Sequence, residues 1–201
     1  RKILLGLGGS ATNDGGCGCA AALGVRFYDA DRQSFIPAGD TLGSIARIDT
    51  AKAEALLRGV KLTVMCDVTN PLYGPTGAAY VFAPQKGADA EKVKSLDAGL
   101  RHFGDVIRSQ LGIDVSRMPG AGAAGGMGAG CVALLGGMIQ SGIDAVLDVT
   151  GFDRQLEGAD LVITGEGRID SQSADGKVVS GVARRTKAKG VPLIAIAGGI
   201  A

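Results

Sequence analysis

The stretch DLVITGEGRIDSQSADGKVVSGV, which runs from Asp160 to Val182, decides the fold that we predict. Its apolar start, residues 161–164, predicts a buried strand, and its end predicts a helix over residues 177–189. Between them lies a loop that is rich in glycine and carries acids, a base and hydroxyls. Because an open α/β sheet holds its ligands where its strands end, this loop is a candidate site.

Two further apolar runs end in polar loops that contain glycine. Residues 2–5 lead into GLGGSATNDGG, Gly6–Gly16, and residues 61–66 lead into DVTNPLYGPTG, Asp67–Gly77. Helical patterns lie between the strand patterns, and such alternation predicts an α/β fold. The section over residues 25–118 is less regular, and we predict that it forms a second α/β lobe.

Weaker patterns give further local predictions. Apolar runs indicate an edge strand at residues 25–28, short strands at residues 79–82 and 143–147, and a helix over residues 131–139. Apolar side chains spaced by three and four predict that residues 89–111 form the longest helix. The single histidine, His102, lies off that apolar stripe, so we expect it to be solvated, which disfavours histidine acid–base chemistry.

Composition bounds the classes of function. The 201 residues are 46% hydrophobic and 20% charged, and the formal net charge is +1. This charge argues against a nucleic acid or an anionic membrane as partner, and no apolar run is long enough to span a bilayer. The cysteines form no C-x-x-C pair, so we interpret them as reduced thiols in the cytoplasm. The chain starts on one strand pattern, without Met, and ends just past another, so we expect an internal fragment.

Glycine is the outlier, at 34 of 201 residues, more than twice the usual share of roughly 7%. The densest segment is PGAGAAGGMGAG, Pro119–Gly130. Glycine loops let backbone N–H groups approach an anion closely, although a simple bias in composition would give the same count. We predict that the following glycines bind a nucleotide or phosphate: Gly8, Gly9, Gly122, Gly125, Gly126 and Gly165.

The Gly6–Gly16 loop follows a strand and precedes a helix, which suits phosphate binding. Its spacing is not G-x-G-x-x-G, because Ala11 stands at the last glycine position, and the chain contains no P-loop motif. Ser10, Asn13 and Asp14 add a hydroxyl, an amide and a carboxylate, and we predict that they bind substrate. The alternative is that Asn13 and Asp14 only cap the following helix.

The loop after residues 61–66 offers a catalytic candidate. Asp67 stands at the end of the strand, where a carboxylate can accept a proton from a hydroxyl or bind Mg²⁺. Asn70, held extended by Pro71, is a candidate to bind substrate, and Lys86 is a candidate to bind phosphate. The alternatives are an Asx-turn at Asp67 and a solvated lysine at residue 86.

In the first-quoted stretch, Glu166 and Asp170 are acids four residues apart with Arg168 between them. Two carboxylates beside phosphate oxygens can hold a metal ion, so we predict these acids as metal ligands and Arg168 as a substrate ligand. An ordinary surface loop could carry the same charges. The glycines around them argue against mere connection.

Together these stretches resemble the glycerate kinase family of the bacterial type, whose members phosphorylate D-glycerate with ATP. The motifs that carry the resemblance span nearly the whole chain: GGSATNDGG (Gly8–Gly16), CDVTNPL (Cys66–Leu72), PQKGA (Pro84–Ala88), PGAGAAGGMGAG (Pro119–Gly130) and TGEGRIDSQSADGKV (Thr164–Val178). The resemblance implies two α/β lobes, one of them Rossmann-like and discontinuous and truncated here, with the site in the cleft. Residues 1–24 and 119–201 would then belong to the Rossmann-like region, and residues 25–118 to the second lobe.

The resemblance also implies a chemistry. It implies phosphoryl transfer from ATP to a hydroxyl of D-glycerate, with Mg²⁺, in the cytoplasm, and leaves open which hydroxyl reacts and whether this segment alone is active. We predict Asp67 as the catalytic carboxylate. The alternatives are a non-catalytic module that binds a nucleotide or anion, a kinase of another small hydroxy acid, and a dinucleotide-dependent oxidoreductase. The imperfect glycine fingerprint argues against the last.

Overall fold

The computed structural model describes residues 1–168 and 178–199. It forms two compact units, Arg1–Ile139 and Gln140–Ala201. The lobe boundaries at residues 24 and 118 concern the complete protein and stay a prediction. Asp170, a predicted metal ligand, lies outside the described residues.

The first unit carries most of the secondary structure. Its elements, in chain order, are β1 (Lys2–Gly6), α1 (Cys17–Ala22), β2 (Arg26–Tyr28), β3 (Ser34–Phe35), a 3-10 helix (Gly39–Ser44), β4 (Arg47–Asp49), α2 (Ala51–Leu57), β5 (Lys61–Met65), α3 (Ala78–Phe82), a second 3-10 helix (Pro84–Lys86), α4 (Ala90–Leu111), α5 (Ala123–Leu135) and β6 (Met138–Gln140), whose last residue opens the second unit. The second unit contains α6 (Gly142–Thr150), α7 (Phe152–Gln155), β7 (Val162–Glu166), α8 (Val178–Lys189) and β8 (Leu193–Ala197).

The sheet that positions the candidate site has the strand order β1-β5-β6. β1 and β5 are parallel, in a register that pairs Lys2 with Lys61 and Gly6 with Met65. Two parallel neighbours end at the same edge of a sheet. The loop after β1 and the loop after β5 therefore start side by side, and the Leu7 N–H donates to the Met65 carbonyl at 3.0 Å.

A smaller antiparallel sheet has the order β3-β2-β4. The prediction of an edge strand at residues 25–28 is wrong, because β2 pairs on both sides. Phe27 lies opposite Phe35 on one side and Ile48 on the other, and it is almost fully buried. Because β2 is the central strand, side chains of both neighbouring strands cover Phe27.

The long helix α4 is confirmed. The carboxylate of Asp89 accepts the Lys92 N–H at 2.8 Å and caps its start, while Gly112, at φ 71°, ends it. Apolar side chains that share its buried face pack into the core: Val93, Leu96, Leu100, Phe103 and Ile107. His102 is only partly solvated, contrary to the prediction, because its Nε2 lies 2.7 Å from the Ile45 carbonyl oxygen.

Two predicted strands are helices. Residues 79–82 lie in α3 and residues 143–147 lie in α6. The Ser141 hydroxyl accepts the Asp144 N–H at 3.3 Å and so caps α6. Runs of about five apolar residues fit both a strand and one buried helix turn, so periodicity does not separate them.

The predicted helix over residues 131–139 is confirmed over residues 131–135, but it begins earlier, as α5, and ends at Leu135. Its first turn is kinked, because Ala124, Gly125 and Gly126 all have left-handed φ angles of 51°, 70° and 91°. Gly136, at φ 65°, ends the helix. The strand β6, which the patterns did not predict, follows directly.

In the second unit, β7 and β8 form a parallel pair in which Val162 lies opposite Leu193. Helices α6 and α8 are joined by an ion-pair cluster around the Arg185 guanidinium, whose nitrogens lie 2.7 Å from Asp148 and 2.8 Å from Asp153. Asp144 joins the same cluster, and Arg184 also pairs with it at 2.7 Å.

Burial of the strands differs from the prediction. β1 and β7 are strands, but Ile3 and Leu4 are each 44% exposed and Ile163 is 62% exposed. Side-chain burial needs a second layer over the sheet, and a strand pattern does not show whether that layer is present. Across the described residues, no helix combines the length and the apolar character that crossing a membrane requires.

Candidate functional site

The centre of the first unit is the meeting of two glycine-rich segments, Gly6–Gly16 and Pro119–Gly130. The Gly15 N–H donates to the Gly125 carbonyl at 3.0 Å. A Cβ added to Gly125 would lie 2.1 Å from the Thr12 carbonyl oxygen, and one added to Gly130 would lie 2.1 Å from the Gly15 oxygen. These contacts are backbone against backbone, so the positions require glycine because any side chain would force the segments apart.

Other glycines of the first segment face open space. A Cβ on Gly8 or Gly9 would meet no atom of the described residues within 4 Å, apart from those of its own chain neighbours. Beside them lies a cavity of about 190 Å³, which we call the glycine cavity. Its walls include Gly8, Gly9, Ser10, Val68, Lys86 and Ala124. The left-handed φ of 59° at Gly9 itself favours glycine, whereas Gly8 has neither a crowded Cβ position nor a positive φ, and close approach of a ligand to the backbone would explain it.

Asp14 anchors the end of the first segment. Its Oδ1 accepts the Gly16 N–H and its Oδ2 accepts the Gly18 N–H, both at 3.0 Å. The carboxylate thus satisfies backbone donors at the start of α1, which is the capping interpretation. A role of Asp14 in substrate binding stays a prediction.

Asn13 differs from its neighbour. Only 8% of it is exposed, and among the described residues neither polar atom of its side chain has a hydrogen-bond partner. A buried amide without partners is unfavourable and is uncommon in folded proteins. Its buried Nδ2 and Oδ1 therefore keep hydrogen-bonding capacity that no described residue uses.

Lys86 holds the first segment in place. Its Nζ donates to the Ser10 hydroxyl at 3.1 Å and to the Thr12 carbonyl at 2.6 Å. Partial burial lowers the pKa of Lys86, and the negative charge of Asp14 partly offsets that effect. An ammonium has three donors, and these two bonds leave one that can face an anion in the glycine cavity.

The loop after β5 brings Asp67 and Asn70 to the same region. Asp67 is exposed, and the next residue, Val68, lines the glycine cavity. The Asn70 side-chain amide donates to the Thr76 carbonyl at 2.8 Å, and the backbone carbonyl of Asn70 accepts the Gly122 N–H at 3.0 Å. Asn70 therefore ties this loop to the second glycine-rich segment.

Two residues of α4, Asp97 and Arg101, fix this loop, and the sequence motifs did not point to them. The buried Asp97 accepts the Gly74 N–H at 2.7 Å, and Arg101 pairs with Asp97 at 3.8 Å. The Arg101 guanidinium also stacks 4.3 Å from the centre of the Tyr73 ring. Asp97 was detectable, because it lies four residues after Val93 on the apolar stripe of α4, where an acid needs a partner.

The remaining candidates lie in the second unit. Gly165 and Glu166 end β7, and Arg168 follows. The Glu166 Oε2 is buried and lacks a hydrogen-bond partner among the described residues. In that same part of the chain, no three acidic, histidine or cysteine side chains come together as a metal cluster. Three of the predicted site residues, Gly165, Glu166 and Arg168, belong to the second unit. The first unit contains the other described candidates: Gly8, Gly9, Ser10, Asn13, Asp14, Asp67, Asn70, Lys86, Gly122, Gly125 and Gly126.

Comparison with known proteins gives consistent relatives. Glycerate kinase of Bacillus cereus is 53% identical over 200 residues, which are 100% of this chain and 52% of the relative. Glycerate kinase of Bacillus subtilis is 48% identical, again over 100% of this chain and 52% of the relative. Glycerate 2-kinase of Escherichia coli is 46% identical over 99% of this chain and 52% of the relative. The chain thus spans about half the length of these relatives.

A solved structure agrees with the fold. The crystal structure of a protein classed as glycerate kinase 2, from Salmonella typhimurium LT2, superposes with a TM-score of 0.86 at 46% identity. The match covers 98% of this chain and 53% of that one. The model of the glycerate kinase family matches residues 1–201. The glycine-rich motifs, the parallel strand ends and these matches agree, and the chain belongs to the glycerate kinase family.

Proposed function

We propose that the full-length protein transfers a phosphoryl group from ATP to a hydroxyl of D-glycerate. The observation that carries the proposal is the convergence of the two glycine-rich segments at the glycine cavity, with the Lys86 ammonium bonded to Ser10 and Thr12 in its wall. Backbone N–H groups and one cation are the donors that phosphate oxygens need. Membership of the family supports the choice of acceptor.

Phosphoryl transfer depends mainly on positioning and on neutralising charge. Lys86 supplies a positive charge at the cavity, and Gly8 and Gly9 leave room for phosphate oxygens against the backbone. Asp67, at the end of β5, is proposed to accept the proton of the reacting hydroxyl. Asn70 contributes by holding its loop against Gly122.

Mg²⁺ supplies charge neutralisation of the phosphate oxygens when it is bound with ATP. The buried and unpartnered Oε2 of Glu166 fits a ligand for a hard cation, since a buried carboxylate oxygen requires a partner. We propose Glu166 as such a ligand. The Asp170 half of that proposal rests on the sequence alone.

The 2-hydroxyl of glycerate is the acceptor that we favour, because the Escherichia coli relative is named glycerate 2-kinase. We further propose that small molecules are the binding partners, with no nucleic acid or membrane partner, in keeping with a formal net charge of +1. The family membership supports a cytoplasmic location for the full-length protein.

The test is release of ADP by the full-length protein, measured with ATP and Mg²⁺ in the presence and absence of D-glycerate. We expect release that depends on D-glycerate and yields 2-phosphoglycerate. Asp67→Asn should reduce turnover by about a hundredfold or more, as expected for loss of a general base. Asp31→Asn, an exposed acid in the β2–β3 turn, is the matched control and should retain activity.

The outcomes separate the roles. No release of ADP from folded wild-type protein would refute the kinase assignment and favour a binding module. Release with full activity in Asp67→Asn would keep the kinase and refute Asp67 as base.

A further inference from the structure

A second cavity shares Lys86 with the glycine cavity. Its volume is about 280 Å³. We call it the Lys92 cavity, and its walls include Asn13, Gly39, Asp40, Lys86, Lys92 and Leu96. It therefore lies between the first glycine-rich segment and the start of α4.

The charges around the Lys92 cavity favour a small anion. Lys86 and Lys92 contribute two positive charges, and Asp40 contributes one negative charge. The Lys92 Nζ lies 2.5 Å from the Asp40 Oδ2, with both side chains about half exposed. Among the lining residues the net charge is +1, which complements a single carboxylate, although the negative charge of Asp14 also acts on Lys86 from outside the lining.

Asn13 gives the same cavity a neutral polar group. The residue lines the cavity, and its amide is buried without a hydrogen-bond partner among the described residues. An amide offers both hydrogen-bond donors and an acceptor, so it can pair with a hydroxyl group, which both donates and accepts. A ligand that brings a hydroxyl would satisfy an amide that otherwise stays unpaired.

We propose that the Lys92 cavity binds the acceptor substrate as a small hydroxycarboxylate. Lys92 binds its carboxylate, the positive charge of Lys86 adds to the attraction, and Asn13 binds one of its hydroxyls. This inference rests on the proposed function, because it places D-glycerate next to the cavity that receives the phosphate groups. Nucleotide phosphates suit the Lys92 cavity less well, since they carry more negative charge than its single net positive charge balances.

Isothermal titration of the full-length protein with D-glycerate, and separately with ATP and Mg²⁺, tests the proposal. Lys92→Met keeps the aliphatic stem and removes the charge, and it should weaken D-glycerate binding about tenfold. Asp40→Asn removes the competing carboxylate and should tighten D-glycerate binding by about threefold. Lys94→Met, an exposed lysine two residues along the same helix, should change neither ligand.

The opposite signs at Lys92 and Asp40 are decisive, because a merely structural role of their ion pair would make both changes weaken binding equally. Weaker ATP binding in Lys92→Met, with D-glycerate unchanged, would assign the cavity to the nucleotide and overturn the proposal. No binding of D-glycerate to folded wild-type protein would also overturn it.

The same measurements separate this proposal from the kinase assignment. Binding of D-glycerate with the expected variant pattern, but no release of ADP, would leave the cavity assigned and refute the kinase. Glycerate-dependent release of ADP with wild-type affinities in both variants would keep the kinase and refute the cavity. Thermal melting of each variant confirms that it is folded.

Discussion

Replacing Gly125 by Ala is the sharpest test of how the two glycine-rich segments meet. Gly125 has φ 70°, and a left-handed conformation costs a residue with a Cβ about 1–2 kcal/mol. The added Cβ would also lie 2.1 Å from the Thr12 carbonyl oxygen and 2.7 Å from the Asn13 Cα. Backbone must move to relieve such overlap, at a further cost of about 1–3 kcal/mol. We therefore expect Gly125→Ala to lower the free energy of unfolding by about 2–5 kcal/mol in all.

Gly136→Ala is the matched control. Gly136 has a similar φ of 65°, but a Cβ there would meet no atom within 4 Å among those compared. It should therefore cost only the conformational part, about 1–2 kcal/mol. Urea unfolding of the full-length protein, followed by circular dichroism, measures both variants. Equal loss of stability in the two would refute the close approach of Gly125 to Thr12.

Three further predictions concern residues outside the glycine segments. Asp97→Ala should destabilise the protein by about 1.5–3 kcal/mol, because it leaves the Gly74 N–H and Arg101 without their carboxylate. Asp105→Ala, the control, breaks an exposed pair with Arg108 and should cost less than about 1 kcal/mol in the same urea assay. Hydrogen bonds from Gln140 and Arg185 hold the pKa of Asp148 below its ordinary 3.8. The stability that the Asp148 carboxylate gives the folded protein is therefore present above pH 3.8 and is lost as the pH falls through the lowered folded-state pKa. The Tm difference between wild type and Asp148→Asn should shrink below about pH 4, and a constant difference would contradict this. Burial raises the pKa of Cys131 to about 12 and that of Cys17 also well above the usual range. Ellman's reagent should therefore modify the exposed Cys19 before either of them. Cys19→Ser should remove the fast phase of this labelling reaction.

Several parts of the fold were predictable because their signals are local. The apolar spacing in α4 and its Asp89 cap lie within one element, so the sequence predicts the helix nearly to the residue. The patterns likewise predicted polar loops directly after β1 and β5, and the parallel pairing of these strands brings the loops to one edge of the sheet.

Other parts depend on contacts that no local pattern shows. The kink at Ala124–Gly126 exists because this segment packs against residues 12–15, which lie far away in the chain. Residues 143–147 form a helix because Ser141 caps them, although their apolar run fits a strand equally well. Exposure of Ile163 depends on which layer covers its sheet, and that is a tertiary property.

The candidate site shows the same division. Motifs pointed to Ser10, Asn13 and Lys86, and the structure brings them together. They did not point to Lys92 or Asp40, because single charges on an α-helix and a 3-10 helix carry no signal of the cavity between them.

The hydrogen bond between Gly15 and Gly125 has a consequence for how the protein folds during synthesis. It joins segments near the two ends of the first unit, and such non-local contacts form late because a long loop must first close. On the ribosome, the Gly6–Gly16 segment emerges early and waits for its partner until α4 and most of the unit have followed. A nascent chain that ends before Gly125 would therefore carry β1, β5 and α4 but no fully formed glycine cavity.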